Sequence, residues 1–279
     1  MAGCRRRGAA AGGKGGGLSK RQRWNVLLEL LAERGRVEVE EAAAELEVSA
    51  ATIRRDLDEL AGQRMLVRTR GGAVAHSVSY ELPLRYRTAR NASEKQRIAQ
   101  AAAELVVVGS VVGLNGGTTT TETARVLALR HADEPVVPGS PTLTVVTNAL
   151  NIAAELAVRP QIKTVVAGGV ARPQSYELVG PLAAGVLDQV VLDVVVLGVD
   201  GLDPDRGLMA HQEDEAGISR LLAARAHQVV VAADSSKVGR RAFARICGLD
   251  QVNVLVTDSG ISAEDEARVA EVGVRVVTV

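Results

Sequence analysis

Residues 114–124 read LNGGTTTTETA, between an apolar run and a helix-like stretch. Two glycines permit a tight turn, and four consecutive threonines then crowd hydroxyls and backbone amides into a helix start, which suits a phosphate. No Gly-Lys-Ser/Thr follows and the GxGxxG spacing is absent, so this is neither a Walker loop nor a dinucleotide fingerprint. From the residues alone, threonines that cap a helix with nothing bound remain the alternative. Similar groups recur down the chain: Thr147-Asn148, Gly168-Gly169, Asp200-Gly201, Asp234 to Lys237, and Thr257-Asp258. One such turn is ordinary loop chemistry, whereas repetition favours a small polar ligand.

Each of these groups follows a short apolar run. The runs are Val111–Leu114, Leu143–Val146, Lys163–Val166, Asp193–Leu197, Gln228–Ala232 and Val254–Val256, with Arg275–Val277 closing the chain. Helical patterns separate them, so an α/β architecture with a mostly parallel sheet covered on both faces is expected. Ligands bind such sheets beyond the carboxyl ends of the strands, where these groups fall. Ahead of the first strand, Ser93 and Gln96 read as a capping box, with Ile98, Ala101, Ala102 and Leu105 on the buried face of the helix.

The first part of the chain has a different pattern. Trp24, Leu27, Leu28 and Leu31 recur at helical spacing over residues 19–33, and Val39, Ala42, Ala43 and Leu46 repeat it in a shorter helix. Ser49 then reads as the N-cap of a third helix with Ile53, Leu57 and Leu60 as its apolar stripe. This is a helix-turn-helix pattern. Ser49, Ala51, Thr52, Arg54 and Arg55 lie near the start of that helix, off the stripe. Small residues there admit a major groove, and arginine can bond guanine edges or phosphates. MLVRTRGGAV, residues 65–74, reads as a strand, a Gly-Gly turn and a second strand, with Arg68 and Arg70 two apart on one face, as in a wing lying along phosphates.

Composition agrees with two modules. Net charge is zero over 279 residues, yet residues 1–80 carry +4 and the remainder −4. Aromatics are 2% of residues against 47% apolar, so the core must be built from Ala, Val and Leu. The two cysteines, Cys4 and Cys247, suggest neither a disulfide framework nor a metal site, and a reducing cytoplasmic setting is expected. His76, His131, His211 and His227 are scattered without triad or metal spacing, and His211 is expected at the surface. No apolar run reaches the roughly 20 residues of a membrane span. Residues 1–18 read as a disordered basic tail, 19–75 as the DNA-binding domain, 76–92 as a linker around Pro83, and 93–279 as the second domain.

VSAATIRRDLDEL followed by LVRTRGGAV resembles the recognition helix and wing of the DeoR family of bacterial transcription regulators. VVTNALNIAAEL, ELVGPLA, LGVDGLDPDRGL and VVVAADSSKVG are similar to the effector-binding domain of that family, so the resemblance runs from about residue 19 to the end. Arg64 stands where the family usually has a glycine, and Met209 and Ala210 where it often has threonines. The resemblance implies a sensor domain related in fold to ribose-5-phosphate isomerase that takes a phosphorylated sugar. It also implies that Gly117, Thr118, Thr119, Thr120, Asn148, Asp200, Glu213 and Lys237 line the site. The related isomerases carry a lysine-bearing glycine-rich loop, and GLMAHQEDEA has neither feature. The expectation is therefore a non-enzymatic repressor of carbohydrate-metabolism genes, without catalytic residues, metal or cofactor. It binds double-stranded operator DNA as a homo-oligomer. A sugar-phosphate isomerase or deaminase with an appended DNA-binding module is the alternative.

Overall fold

The computed structural model describes residues 18–63, 65–74, 84, 91–132, 134 and 139–279. Nearly all of the expected tail and of the expected linker, and Arg64, lie outside them. The chain divides into two compact units, Met1–Ser79 and Tyr80–Val279.

In the first unit, α1 (Lys20–Arg34) starts at a capping box in which Ser19 and Gln22 satisfy each other's backbone amides. It stops at Gly35, whose φ of 71° closes the helix with a bond to the Leu31 carbonyl. There follow β1 (Arg36–Glu38), α2 (Val39–Glu45), α3 (Ala50–Gly62), β2 (Val67–Arg68) and β3 (Gly72–Val74). The expected stripes form the core: Leu27, Ile53, Leu57 and Leu60 are fully buried. The three strands pair antiparallel in the order β1–β3–β2. Gly72 is required there, because a Cβ on it would lie 1.9 Å from the Val37 carbonyl oxygen of the neighbouring strand.

The second unit is a seven-stranded parallel sheet in the order β15–β14–β12–β9–β4–β5–β6. Its strands are β4 (Val111–Leu114), β5 (Leu143–Thr147), β6 (Ile162–Val166), β9 (Leu192–Leu197), β12 (Ala226–Ala232), β14 (Val254–Thr257) and β15 (Arg275–Thr278). These are the seven expected strands, with ends moved by one or two residues. Helices α4 (Ala92–Glu104), α5 (Thr118–Arg130) and α6 (Leu150–Leu156) cover one face, and α7 (Pro181–Leu187) and α8 (Glu213–Ala224) the other; α9 (Ala263–Glu271) precedes β15. The cores alternate with strand period: Val194 and Val196 of β9 join Ile98, Ala102, Ala124 and Leu127, while Val195 and Leu197 join Ala183, Leu187, Ala216 and Leu222. Neither cluster of buried residues contains an aromatic side chain.

Two features differ from expectation. The capping box at Ser93 and Gln96 does not form; α4 begins two residues earlier, with Asn91 as N-cap at φ 50° and its side-chain amide donating to Asp234 at 3.0 Å. Short antiparallel additions also appear: a hairpin of β7 (Val170–Arg172) and β8 (Glu177–Val179), and a sheet of β10 (Gly201–Asp203), β11 (Gly207–Ala210) and β13 (Ala244–Cys247).

Candidate functional site

Chain order along the sheet reverses between β4 and β9. From β4 the chain moves outward to β5 and β6, then returns to the other side of β4 as β9 and moves outward again. Such a switch point opens a crevice at the strand ends. Asn115 closes its base: its Nδ2 donates to the Gly198 carbonyl at 2.9 Å and to Ser219 Oγ at 3.0 Å, and the Gly198 amide donates back to Oδ1 at 2.8 Å.

Gly117 is the N-cap of α5, with φ 148° and no side chain to satisfy the helix amides. The amides of Thr118, Thr119 and Thr120 thus open the helix in the first turn, beyond reach of a preceding helical carbonyl. That arrangement, with the positive end of the helix dipole, could seat an anion. The hydroxyls divide. Thr120 and Thr121 turn back onto the Gly117 carbonyl, at 3.2 and 2.6 Å, so Thr120 offers a ligand only its backbone. The Thr118 and Thr119 hydroxyls take no part in these bonds.

Glu177, which the sequence reading missed, draws several groups together. It is buried on β8, accepts from Asn148 Nδ2 at 2.9 Å and takes a hydrogen bond from the Gly116 amide. Burial, and then the charge of Glu215, push its carboxyl up to about 8, against those two hydrogen bonds; Asp200 adds a smaller push. Glu215 is largely buried and lies 2.9 Å from Arg172 Nε, a charge contact without hydrogen-bond alignment. Glu213, the expected site residue, is exposed at the start of α8, and it is Glu215, two residues on, that comes close to Glu177. Asp200 accepts from the His211 amide at 2.9 Å, and the His211 ring stands 4.0 Å away, so this histidine sits half-buried beside the site rather than at the surface. Asn148 is fully buried, and its Oδ1 has no hydrogen-bond partner among the described residues.

Lys237 ends a short 3-10 turn after β12 (Ser235–Lys237). Asp258, at the end of β14, holds that turn, accepting from the Ser235 amide at 2.7 Å, Ser235 Oγ at 2.8 Å and the Gly260 amide at 3.0 Å. Burial works against the Asp258 charge, but these bonds outweigh it and keep the carboxyl below the usual range. Asp258 therefore braces the loop. Similarly, Gly169 serves the β7–β8 hairpin, since a Cβ there would lie 2.6 Å from the Val179 carbonyl oxygen. Lys237 lies two strands from β4, on the order of 10 Å, a gap its four-carbon stem can narrow.

The N-terminal unit offers a second surface. Ser49 caps α3, accepting from the Thr52 amide at 3.2 Å, and its hydroxyl meets Thr52 Oγ1 at 2.9 Å. Ala51, Arg54 and Arg55 are exposed on the first turns; Arg54 pairs with Glu40 at 2.9 Å, and Arg55 has no ion pair among the described residues. The expected sharing of a strand face by Arg68 and Arg70 is not observed. β2 ends at Arg68, and Arg70 lies exposed in the turn, because Thr69 closes it with bonds to Gly72. Arg68 is engaged inside the unit, with Asp58 at 2.7 Å and with the Gly72 carbonyl. Beneath this surface Asp56 is buried and accepts from Arg23 at 2.8 and 3.2 Å and from Trp24 Nε1 at 3.0 Å, tying α1 to α3.

Among the described residues, no helix is long and apolar enough to cross a membrane, and no group of His, Cys, Asp and Glu is placed to hold a metal. The family model of the DeoR C terminal sensor domain matches residues 90–259, and that of the DeoR-like helix-turn-helix domain matches residues 23–78. The glycerol-3-phosphate regulon repressor of Escherichia coli (strain K12) is 34% identical over 242 residues, covering 87% of this chain and 92% of its own. The HTH-type transcriptional regulator GlpR of Haloferax volcanii is 34% identical over 257 residues, covering 92% of this chain and 96% of its own. Among solved structures, ribose 5-phosphate isomerase A of Methanocaldococcus jannaschii is similar over 53% of this chain and 54% of its own, at 22% identity and a TM-score of 0.39. The chain belongs to the DeoR family of transcription regulators.

Proposed function

We propose that this protein represses transcription by binding operator DNA through α3 and the β2–β3 wing, and that a phosphorylated sugar at the strand ends of its second unit releases it. The observation that carries the ligand reading is the open first turn of α5 at the point where chain order reverses. Gly117 to Thr120 take the phosphate, Lys237 supplies a full positive charge, and Asn148, Asp200 and the neighbouring carboxyls meet hydroxyls. The chain's similarity to a glycerol-3-phosphate regulon repressor and to a putative aga operon transcriptional repressor supports repression, and the first of these supports a phosphorylated metabolite. On DNA, Thr52, Arg54 and Arg55 read bases from the first turns of α3, with Ser49 and Ala51 allowing close approach. Arg70 holds a phosphate, and Arg68 braces the wing rather than reaching out. Single modules of this size bind weakly, so two or more copies engage repeated half-sites.

The sensor does not turn its ligand over. A buried carboxyl raised to about 8 is what an acid–base catalyst would need, so isomerisation is the reading to test against. Full-length protein is mixed with triose, pentose and hexose phosphates, following heat of binding and product formation together. Saturable binding without product is expected; sustained turnover lost in Glu177→Gln would replace the sensor by an enzyme.

A further inference from the structure

The β7–β8 hairpin is sewn to the turn that follows β5. The Leu150 amide donates to the Tyr176 carbonyl at 2.9 Å, the Leu178 amide to the Asn148 carbonyl at 2.7 Å, and Ala149 and Glu177 form an antiparallel bridge. This places Glu177 against two parts of the ligand site at once. It bonds the Gly116 amide and lies so close to that residue that a Cβ on Gly116 would stand 2.3 Å from Glu177 Cγ. It also takes the Asn148 amide nitrogen, which has a second acceptor in the Leu178 carbonyl at 3.3 Å. With its nitrogen so committed, Asn148 keeps a buried Oδ1 that nothing among the described residues uses. Buried acceptors of this kind are rare in folded proteins unless a water or ligand completes them.

We propose that Glu177 is a positioning residue of the effector site and that, with Asn148, it forms a subsite for a ligand hydroxyl close to the phosphate. The subsite rests on the reading of Gly117–Thr120 as the phosphate turn. Asn148 Oδ1 accepts from the hydroxyl, and Glu177 fixes both the Asn148 amide and the chain entering the phosphate turn. The class of ligand is a phosphorylated polyol or sugar rather than a bare phosphomonoester. Glu177 does this as the neutral acid. Glu215 from α8 and Asp200 from the end of β9 already face it with negative charge, and the nearby Arg172 lies against Glu215 while His211 lies beside Asp200. A third charge, one residue from Gly117, would oppose a doubly charged phosphate. Ligand binding and ionisation of Glu177 therefore exclude one another, and burial keeps the neutral form in place up to about pH 8.

The test is calorimetry on the full-length chain between pH 7 and 9, where the phosphate is already doubly charged. Ribose 5-phosphate and glycerol 3-phosphate are the hydroxyl-bearing probes, and propyl phosphate supplies a phosphate without hydroxyls. At pH 7 the better hydroxyl-bearing probe binds at least several-fold more tightly than propyl phosphate. Its affinity falls toward about tenfold per pH unit above pH 8. Glu177→Gln cannot ionise, so whatever its affinity at pH 7, that affinity is flat over this range. Equal affinity for propyl phosphate and both other probes, a flat wild-type profile, or the same slope in Glu177→Gln would each overturn the proposal. Failure of all three probes to bind at pH 7 would instead remove the phosphate reading itself, and the subsite with it.

Discussion

Asn115 and Gly198 bond each other twice, through the Asn115 side chain and the Gly198 backbone, across the gap between β4 and β9. The pair fixes the spacing of the two strand ends that flank the proposed site. Asn115→Ala leaves the part-buried Gly198 amide and carbonyl without their side-chain partner, at a cost of about 1–2 kcal/mol in unfolding free energy. Because the damage is at the strand ends, sugar-phosphate affinity should fall further than stability alone explains, while DNA affinity is retained. Denaturant titration with calorimetry on the same variant checks both, and unchanged ligand affinity would separate Asn115 from the site.

Arg55 and Arg70, both exposed on the DNA-binding unit, should behave differently. Arg55→Ala removes a base or phosphate contact from α3 and should cost about 1–3 kcal/mol on a selected duplex. Arg70→Ala should weaken binding evenly across sequences and reduce the salt slope by about 1. Arg68→Ala breaks contacts within the wing, so its melting temperature falls along with its DNA affinity. Wild-type binding by both Arg55→Ala and Arg70→Ala would place the interface elsewhere.

Asp56 carries the link between α1 and α3 as one buried carboxylate serving an arginine and a tryptophan. Removing one partner of a buried charge pair leaves the other uncompensated, so Asp56→Ala should destabilise the N-terminal unit by about 3–5 kcal/mol. Thermal unfolding should show an early transition for residues 1–79 while the second unit melts as before. A single unchanged transition would contradict this role.

Glu177 also predicts how stability depends on pH. Its folded pKa is raised, to about 8, above the ordinary value near 4.5. The folded chain therefore holds a proton that the unfolded chain has lost between those limits. Its contribution is complete below about pH 4.5 and is lost as pH rises to about 8. Wild-type protein should lose unfolding free energy relative to Glu177→Gln steadily from pH 5 to pH 8. Parallel curves for the two proteins would show that Glu177 is ionised in the fold.

Long periodic segments were legible in the sequence; short ones and tertiary pairings were not. All seven parallel strands were visible, because β-branched runs buried on both faces carry their own signal. β1, β7 and β8 are three residues each, too short for any period, and the sequence reading missed them. That omission hid Glu177, since only the hairpin carries it to Gly116 and Asn148. Ser93 looked like a cap by residue type, yet Asn91 took the position because Asp234, far along the chain, accepts its amide. Arg68 and Arg70 were placed on one face by alternation, but β2 stops at Arg68, and Asp58, ten residues earlier, decides where Arg68 goes. The four threonines suggest an anion by their hydroxyls, but two of those hydroxyls serve the Gly117 carbonyl, which leaves the helix amides as the proposed seat.

In the proposed mechanism, ligand charge is linked to release from DNA. A ligand shifts that equilibrium only as far as it prefers the weakly binding form, and in the proposed site Lys237 supplies the full charge for the phosphate. The decisive measurement is fluorescence anisotropy of a labelled duplex, selected from random sequence by the full-length protein, titrated with ribose 5-phosphate and with glycerol 3-phosphate. Wild-type protein should leave the duplex with at least one of them. Lys237→Met should bind the duplex with wild-type affinity yet need at least tenfold more of the same sugar phosphate for release, while Thr119→Val, which loses one hydroxyl and no charge, falls between the two. Release of Lys237→Met at the wild-type concentration would contradict the account.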